Sequence, residues 1–439
     1  MFEPLYTAEE MRAAEQGHDV EAMMERAGRA VADAVLRRYP EAQRIAGVCG
    51  KGANGGDGRI ALRVLAAAGR ETSEELGAGD DLVIDALFGT GFHGEPRPDA
   101  AALIERVNAA GVPVVAVDLP SGVNASTGEV AGAAVRADLT VTMHGPKVGL
   151  VIAPGRFLAG EVEVADIGLT HAETSHRLVT DEILALVPRR AARDTKYTAG
   201  SVLLVGGSPG LTGAAFLAAE AAFRADAGYV AVCVPEASLP VMETLLIEAV
   251  KAPRERLDEL ADRASALAVG PGLGRAEEEH ALVRRLLAER DLPAVVDADA
   301  LFRLEPDRWP APRVLTPHSG ELARLIEEEA KWVDAHRLEA LQRAVERFDC
   351  VVLLKGADTL IGAPGEGVLV CTSGTPALAT AGTGDVLTGV ISAFLAKGMD
   401  ARLAAAAGAV AHGRAAQLAP SQIGLVASDV IESLPLALA

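Results

Sequence analysis

Residues 45–58 read IAGVCGKGANGGDG. A short apolar run stops at a glycine-rich turn, and residues 57–68 then continue with helical spacing. Strand, glycine turn and helix in that order predict the opening unit of a doubly wound α/β domain. The glycines allow positive φ and close approach of the backbone to a ligand. The start of the helix offers unpaired N–H groups and a positive dipole end, which suit a phosphate. The turn lacks the Gly-Lys-Ser/Thr ending of a P-loop. Taken alone, it fits a purely structural βα turn equally well.

Working outward, residues 82–87, 114–119 and 139–143 read as strands and 99–110 as a helix. Alternating strands and helices with short turns predict a parallel sheet covered on both faces over 45–168. Met11, Met23, Met24, Ala27, Val31 and Val35 recur at helical spacing and predict one long helix over 8–38, its methionines serving as core filler. Residues 69–80 hold no apolar run, so the edge strand after the first helix is expected to be missing. Asp85 and Asp118 close two strands, and Ser121 follows the second. The carboxyl ends of parallel strands line the binding crevice, so Asn54, Asp57, Asp85, Asp118 and Ser121 are expected to converge there. Each Asp taken singly is also compatible with a helix cap or a turn.

Residues 169–198 read as a connector with a helix at 181–187. A second alternation follows, with strands at 201–205, 229–234, 266–269, 294–297, 313–316, 351–355 and 367–371. Its helices are expected at 212–226, 276–290, 335–348, 384–396 and 401–418. Glycine-rich turns again sit at strand ends. Gly382 and Gly384 expose backbone N–H groups at a helix start and predict an anion hole. Asp385 lies at the same mouth and can accept a proton from a substrate hydroxyl, although it could also simply cap the helix. His318, between a strand and a helix, is a candidate ligand contact. Lys355 ends an apolar strand, where a lysine needs an anionic partner.

The 439 residues predict two or three domains, and 50% hydrophobic with only 3% aromatic residues suits α/β domains with small-residue helix packing. A net charge of −20 disfavours nucleic acid and anionic membranes as partners. Cys49, Cys233, Cys350 and Cys371 form no C-x-x-C pair and read as free thiols of a reducing compartment. There is no signal-peptide pattern and no membrane-length apolar run, so a cytoplasmic protein is expected.

Four motifs of the first half, GKGANGGDG (50–58), DALFGTGF (85–92), VDLPSG (117–122) and HGPKVGL (144–150), resemble the NAD(P)H-hydrate epimerase domain. The resemblance implies a Rossmann-like domain over 1–175. It implies substrate contacts from Ala53, Asn54, Gly55, Gly56, Asp57, Gly89, Thr90, Gly91 and Asp118, with Asp118 as the acid/base group. It also implies a potassium ion near Asn54, Asp85 and Ser121. Ala53 stands where the family carries the first of two asparagines.

The second half carries VGGSPGLTGAA (205–215), VGPGLG (269–274), VVDADAL (295–301), LTPHSGELARL (315–325), LLKGADTLI (353–361), SGTPALATAGTGDVLTG (373–389) and GLVASDVIESLP (424–435). In that order they resemble the ADP-dependent NAD(P)H-hydrate dehydratases of the ribokinase-like superfamily, over 176–439. The resemblance implies that Lys355, Gly356, Ala357, Asp358, Thr359 and Gly384 bind the nucleotide, ADP or ATP. It implies that Ala214, Gly272, Gly274, His318 and Asp385 contact the hydrated cofactor, with Asp385 catalytic. Magnesium would bridge the nucleotide phosphates, and a homo-oligomer is expected. The implied activity is repair of hydrated NADH and NADPH. The other reading is a ribokinase-like kinase that releases a phosphoester, fused to a non-catalytic binding domain.

Overall fold

The computed structural model describes residues 1–169 and 172–439; Thr170 and His171, within the expected connector, lie outside the described residues. Two compact units emerge. One comprises Pro4–Arg177, with Asp334–Arg337 grouped with it; the other comprises Met1–Glu3, Leu178–Val333 and Leu338–Ala439.

The first unit holds a six-stranded sheet in the order Glu71–Ser73, Arg44–Cys49, Leu82–Ala86, Val114–Val117, Leu139–Met143, Glu161–Ala165. All neighbours run parallel. From Arg44–Cys49 the chain moves to one side and then returns to the other, so the topological switch lies between Arg44–Cys49 and Leu82–Ala86. Helices Val20–Arg38 and Ala53–Ala67 cover one face through Val31, Val35, Ala61 and Leu65. Helix Pro98–Asn108 covers the other through Ile104 and Val107.

Three expectations need correction here. The helix expected over 8–38 is two helices, Ala8–Glu15 and Val20–Arg38. Gly17 has φ +81° and Asp19 caps the second helix by accepting from the Ala22 N–H; these stop and start signals outweigh the continuous apolar spacing. The edge strand is present as Glu71–Ser73, short and polar because it sits at a solvent edge and needs no apolar run. The first glycine helix starts at Ala53, not at 57. The strand Glu161–Ala165, which the sequence reading passed over, is the opposite edge, where Arg37 and Arg38 pair with Glu163 and Glu161.

The second unit is built on an eleven-stranded sheet. Its order is Phe2–Leu5, His176–Val179, Leu369–Cys371, Thr359–Gly362, Val351–Leu354, Arg313–Leu315, Ala294–Val296, Ala266–Val269, Ser201–Val205, Tyr229–Val234, Val250–Pro253. Pairing is parallel from Val351–Leu354 to Val250–Pro253. It is antiparallel through Thr359–Gly362 to Leu369–Cys371. The switch lies between Ser201–Val205 and Ala266–Val269.

Helices Thr212–Arg224, Thr383–Ala396, Ala401–Leu418 and Ala427–Ala437 share one core with the sheet. The buried faces of Thr212–Arg224 and Ala401–Leu418 are largely alanine, and backbones approach closely. A Cβ on Gly389 would lie 2.1 Å from the Ala218 carbonyl oxygen, and one on Gly408 would lie 2.5 Å from Ile391 Cγ1. On the other side the buried Arg313 guanidinium donates to the Leu287 and Arg290 carbonyls at the end of helix Glu277–Glu289. The strand expected over 367–371 begins at Leu369, and its hairpin partner Thr359–Gly362 was not foreseen. The helix expected over 335–348 is Arg337–Phe348, and a short helix that was not expected, Ala330–Ala335, precedes it. The helix expected at 181–187 is a 3₁₀ segment, Asp181–Leu186.

Candidate active sites

At the first switch point the loops after Arg44–Cys49 and Leu82–Ala86 pack main chain against main chain. A Cβ on Gly50 would lie 2.1 Å from the Leu87 carbonyl oxygen, and one on Gly55 would lie 1.9 Å from that of Gly50. None of the glycines of 50–58 has positive φ. These glycines serve close backbone approach and not, as expected, positive φ.

Above this seam is a cavity of about 830 Å³. Ala53, Asn54, Asp57, Gly89, Thr90, Gly91 and Asp118 line it, together with Met11, Glu15, Met23, Met24, Cys49, Phe88, Phe92 and Lys147. Gly55 and Gly56 do not line it; they face Gly50 and Met24. Asp85 and Ser121 lie beneath the wall.

Asp118 carries φ +68°, a strained conformation of the kind that clusters at functional sites. Its Oδ1 accepts from Lys147 Nζ at 2.5 Å, Thr142 Oγ1 at 3.1 Å and the Met143 N–H at 3.2 Å. Lys147 is fully buried and also donates to Thr142 Oγ1 and the Met143 carbonyl, so its three protons are all used. Lys147, within HGPKVGL, has no role evident from sequence alone; a lysine buried in an apolar run needs such a partner. Glu15 faces the same cavity, its carboxyl raised by burial and by the Asp118 charge against the opposing pull of Lys147.

Asp85 is 1% exposed. Its carboxylate accepts from the Ser121 N–H at 2.7 Å and Ser121 Oγ at 2.6 Å. Asn54 Nδ2 donates to the Phe88 carbonyl at 2.8 Å, and the Phe88 N–H donates to Ser121 Oγ at 2.9 Å. Asn54, Asp85 and Ser121 therefore form one oxygen-rich network. No cationic side chain among the described residues pairs with Asp85, and burial pushes its carboxyl up to about 6. A monovalent cation on neutral and carboxylate oxygens fits this donor set. Among the described residues no three His, Cys, Asp or Glu side chains cluster for a transition metal.

At the second switch point the two loops again meet through backbone. The Ser208 N–H donates to the Gly272 carbonyl at 2.7 Å and the Gly207 N–H to the Pro271 carbonyl at 3.0 Å. A Cβ on Gly272, where φ is +60°, would lie 2.2 Å from the Leu211 carbonyl oxygen. Gly274 has φ +85° and donates to Asp299 Oδ2 at 3.0 Å. Ala214, on the first turn of Thr212–Arg224, donates to the Leu211 carbonyl at 3.3 Å. Ala214, Gly272 and Gly274 are thus gathered around one loop pair.

Lys355 Nζ donates to Asp297 Oδ1 at 2.8 Å and lies 3.8 Å from Glu321 Oε2. Thr388 Oγ1 donates to Asp297 Oδ2 at 2.7 Å. Burial opposes the lysine charge, yet Asp297 and Glu321 together raise it. A Cβ on Gly384 would lie 3.4 Å from Lys355 Nζ, so the lysine stands over the first turn of Thr383–Ala396. Gly382 precedes that turn with φ +90°. Burial, then the Asp297 charge, pushes the Asp385 carboxyl up to about 7, with Lys355 pulling it back.

His318 is exposed and caps helix Ser319–Leu325, accepting from the Gly320 N–H at 3.0 Å, while Glu321 accepts from the His318 N–H. The Lys355 N–H donates to the Pro317 carbonyl, which sets His318 beside the lysine. In the 355–359 segment Gly356 and Ala357 are exposed and Asp358 is buried. Asp297, Asp299, Glu321 and Thr388 were not singled out individually in the sequence. The repeated aspartates of VVDADAL were the available signal.

Two doubly wound units, each with a glycine seam and a buried charged array at its switch point, define a two-domain α/β enzyme. Residues 202–435 match the family model described as NAD(P)H-hydrate dehydratase, and 20–73 with 70–149 match YjeF-related protein N-terminus. The bifunctional NAD(P)H-hydrate repair enzyme Nnr of Moorella thermoacetica is 40% identical, over 94% of this chain and 91% of that protein. The Escherichia coli enzyme of the same name is 34% identical over 94% and 88%. Among solved structures, the ADP/ATP-dependent NAD(P)H-hydrate dehydratase from Bacillus subtilis, co-crystallized with ATP and Mg²⁺, matches with a TM-score of 0.55. It is 31% identical and covers 59% of this chain and 96% of its own. The chain belongs to the family of bifunctional NAD(P)H-hydrate repair enzymes.

Proposed function

We propose that this chain repairs hydrated NADH and NADPH. The second unit dehydrates the S hydrate with ADP as phosphoryl donor, releasing AMP and phosphate, and the first interconverts the R and S hydrates. The observation that carries this reading is the presence of both carboxylate-bearing switch-point sites in a chain related to the bifunctional enzymes over nearly its full length. The working boundaries are 1–175 for the epimerase and 176–439 for the dehydratase.

In the dehydratase, Lys355 to Thr359 and Gly384 hold the nucleotide. Lys355 and the N–H groups of the first turn after Gly382 face the transferring phosphoryl group. Asp385 takes the proton of the substrate hydroxyl, and Ala214, Gly272, Gly274 and His318 hold the hydrated ring. Hydroxide leaves poorly and phosphate leaves well, so the site has mainly to orient groups and stabilise charge. Asp297 is already engaged by Lys355 and Thr388; magnesium would arrive with the nucleotide and would supply charge to neutralise its phosphates.

In the epimerase, Asp118 exchanges the proton that opens and closes the hydrated ring. Ala53, Asn54, Asp57 and Gly89 to Gly91 hold the substrate, while Gly55 and Gly56 only shape the turn beneath them. Asn54, Asp85 and Ser121 would hold potassium, whose charge would offset that of the buried Asp85 carboxylate. The net charge of −20 gives no footing for nucleic acid or anionic membranes, and no helix among the described residues is long and apolar enough to cross a membrane. A cytoplasmic homo-oligomer is the expected setting.

The test is to incubate the protein with mixed R and S NADH hydrates, ADP, Mg²⁺ and K⁺, and follow regenerated NADH. Complete recovery, faster than spontaneous epimerisation allows, is expected. Asp118→Ala should leave recovery of the S fraction intact and slow the R fraction by about 10²–10⁴-fold. A stable phosphorylated product with no NADH would refute the dehydratase and point to a kinase.

A further inference from the structure

Asp57 is the fifth residue of helix Ala53–Ala67, just past its first turn, in the wall of the first cavity. It is 9% exposed, and its Oδ1 has no hydrogen-bond partner. Buried polar atoms are nearly always satisfied, and an exception in a cavity wall calls for an explanation. Packing fixes the side chain's origin: a Cβ on Gly28 would lie 2.7 Å from the Asp57 carbonyl oxygen, so helix Val20–Arg38 presses directly on this turn.

The groups that face Asp57 come from several elements. Glu15 comes from Ala8–Glu15, and Asp118 follows Val114–Val117 with its partner Lys147. Helix Val20–Arg38 contributes the uncharged Met23 and Met24 to the same wall. The two aspartates are therefore differently equipped. Asp118 is ion-paired to a buried lysine and accepts three hydrogen bonds. Asp57 has no cation and one idle oxygen.

We propose that Asp57 is the second acid-base residue of the epimerisation, giving a proton to the ring nitrogen while Asp118 takes one from the hydroxyl. This rests on the reading of the first unit as an epimerase. Burial first, then the charges of Asp118 and Glu15, push the Asp57 carboxyl up to about 8, so it carries the required proton at neutral pH.

The step balances without a further reagent. Asp118 removes the hydroxyl proton, the oxygen's electron pair forms a carbonyl, and the adjacent carbon–nitrogen bond breaks. Its electron pair goes to nitrogen, which takes the Asp57 proton. The product is an open-chain aldehyde with an N–H, beside protonated Asp118 and ionised Asp57. Rotation about the bond to the aldehyde carbon presents the opposite face. Reclosure returns nitrogen's proton to Asp57 and the Asp118 proton to oxygen. An acid and a base held at separate points avoid moving one proton around the ring.

The experiment follows the R/S ratio of NADH hydrate by chromatography, with K⁺ and without nucleotide, so that only the first unit acts. Asp57→Asn should lower kcat by about 10²–10³-fold with KM changed less than about threefold. Asp57→Ala should regain rate in proportion to the undissociated acid in added formate buffer, which restores a proton donor but not a structural contact. Dehydration of the S hydrate with ADP checks that each variant is folded. Wild-type kcat in Asp57→Asn, a change in KM alone, or no response to formate would overturn the proposal while leaving the epimerase reading intact. Failure of the wild-type chain to speed R/S exchange would overturn that reading and this assignment with it.

Discussion

Replacing Gly55 by alanine probes the first site through its backbone. The new Cβ would lie 1.9 Å from the Gly50 carbonyl oxygen, 2.6 Å from its carbonyl carbon and 2.8 Å from its nitrogen. Carbon–oxygen contacts are repulsive well outside such distances, so the turn and the helix start must part by about 1 Å. All three neighbours are main chain, and Gly50 is itself wedged against the Leu87 carbonyl, so no side chain can swing aside. Overpacking of this kind costs about 1–3 kcal/mol. The larger effect is on geometry: Asn54 and Asp57 ride on the displaced turn, and a shift of about 1 Å in a positioned group lowers rate by roughly 10²-fold. The assay is R-hydrate conversion beside S-hydrate dehydration in the same preparation. R conversion should fall about 100-fold and dehydration should hold within about twofold. R conversion within about threefold of wild type would show that the seam does not position the site.

Two other perturbations address the second unit. Lys355→Met strands the buried Asp297 carboxylate and should cost about 3 kcal/mol. That corresponds to a fall of roughly 6–12 °C in the melting transition of this unit, with nucleotide no longer raising it; an unchanged transition would mean that the pair is not structural. Asp385, with its carboxyl near 7 and a role that needs the ionised form, should make kcat/KM for dehydration rise as pH passes upward through about 7 and level off above. A flat wild-type profile between about pH 5.5 and 8.5 would remove Asp385 as the proton acceptor.

The parts of this fold legible in the sequence are those where one residue type has one physical reason to be there. The strands Ser201–Val205, Tyr229–Val234 and Ala266–Val269 and helix Ala401–Leu418 stand as read, since each is a clean apolar run or a long alanine face between turn residues. Several strands escaped. Glu71–Ser73 and Glu161–Ala165 are polar because one side meets water, and Thr359–Gly362 is set by a hairpin pairing that no local pattern announces. At the sites, aspartates at strand ends were visible because sheet topology puts them in the crevice. Lys147 and Asp297 were not, because their significance lies in contacts with residues 29 and 58 positions away.

At both switch points the loops that carry the site meet through peptide units pressed against glycines. A side chain that touches a ligand can change rotamer, and its substitution is felt locally. A peptide unit pressed against a glycine has no such freedom, as at Gly55 on Gly50, Gly206 on Pro271 and Gly270 on Asp297. The tolerance of the two sites to sequence drift should therefore be uneven. Ala53, exposed at the cavity rim, can vary with little consequence to shape. The glycines at the seams cannot accept even a methyl group, so the outline of each site is inherited through residues that contribute no functional group.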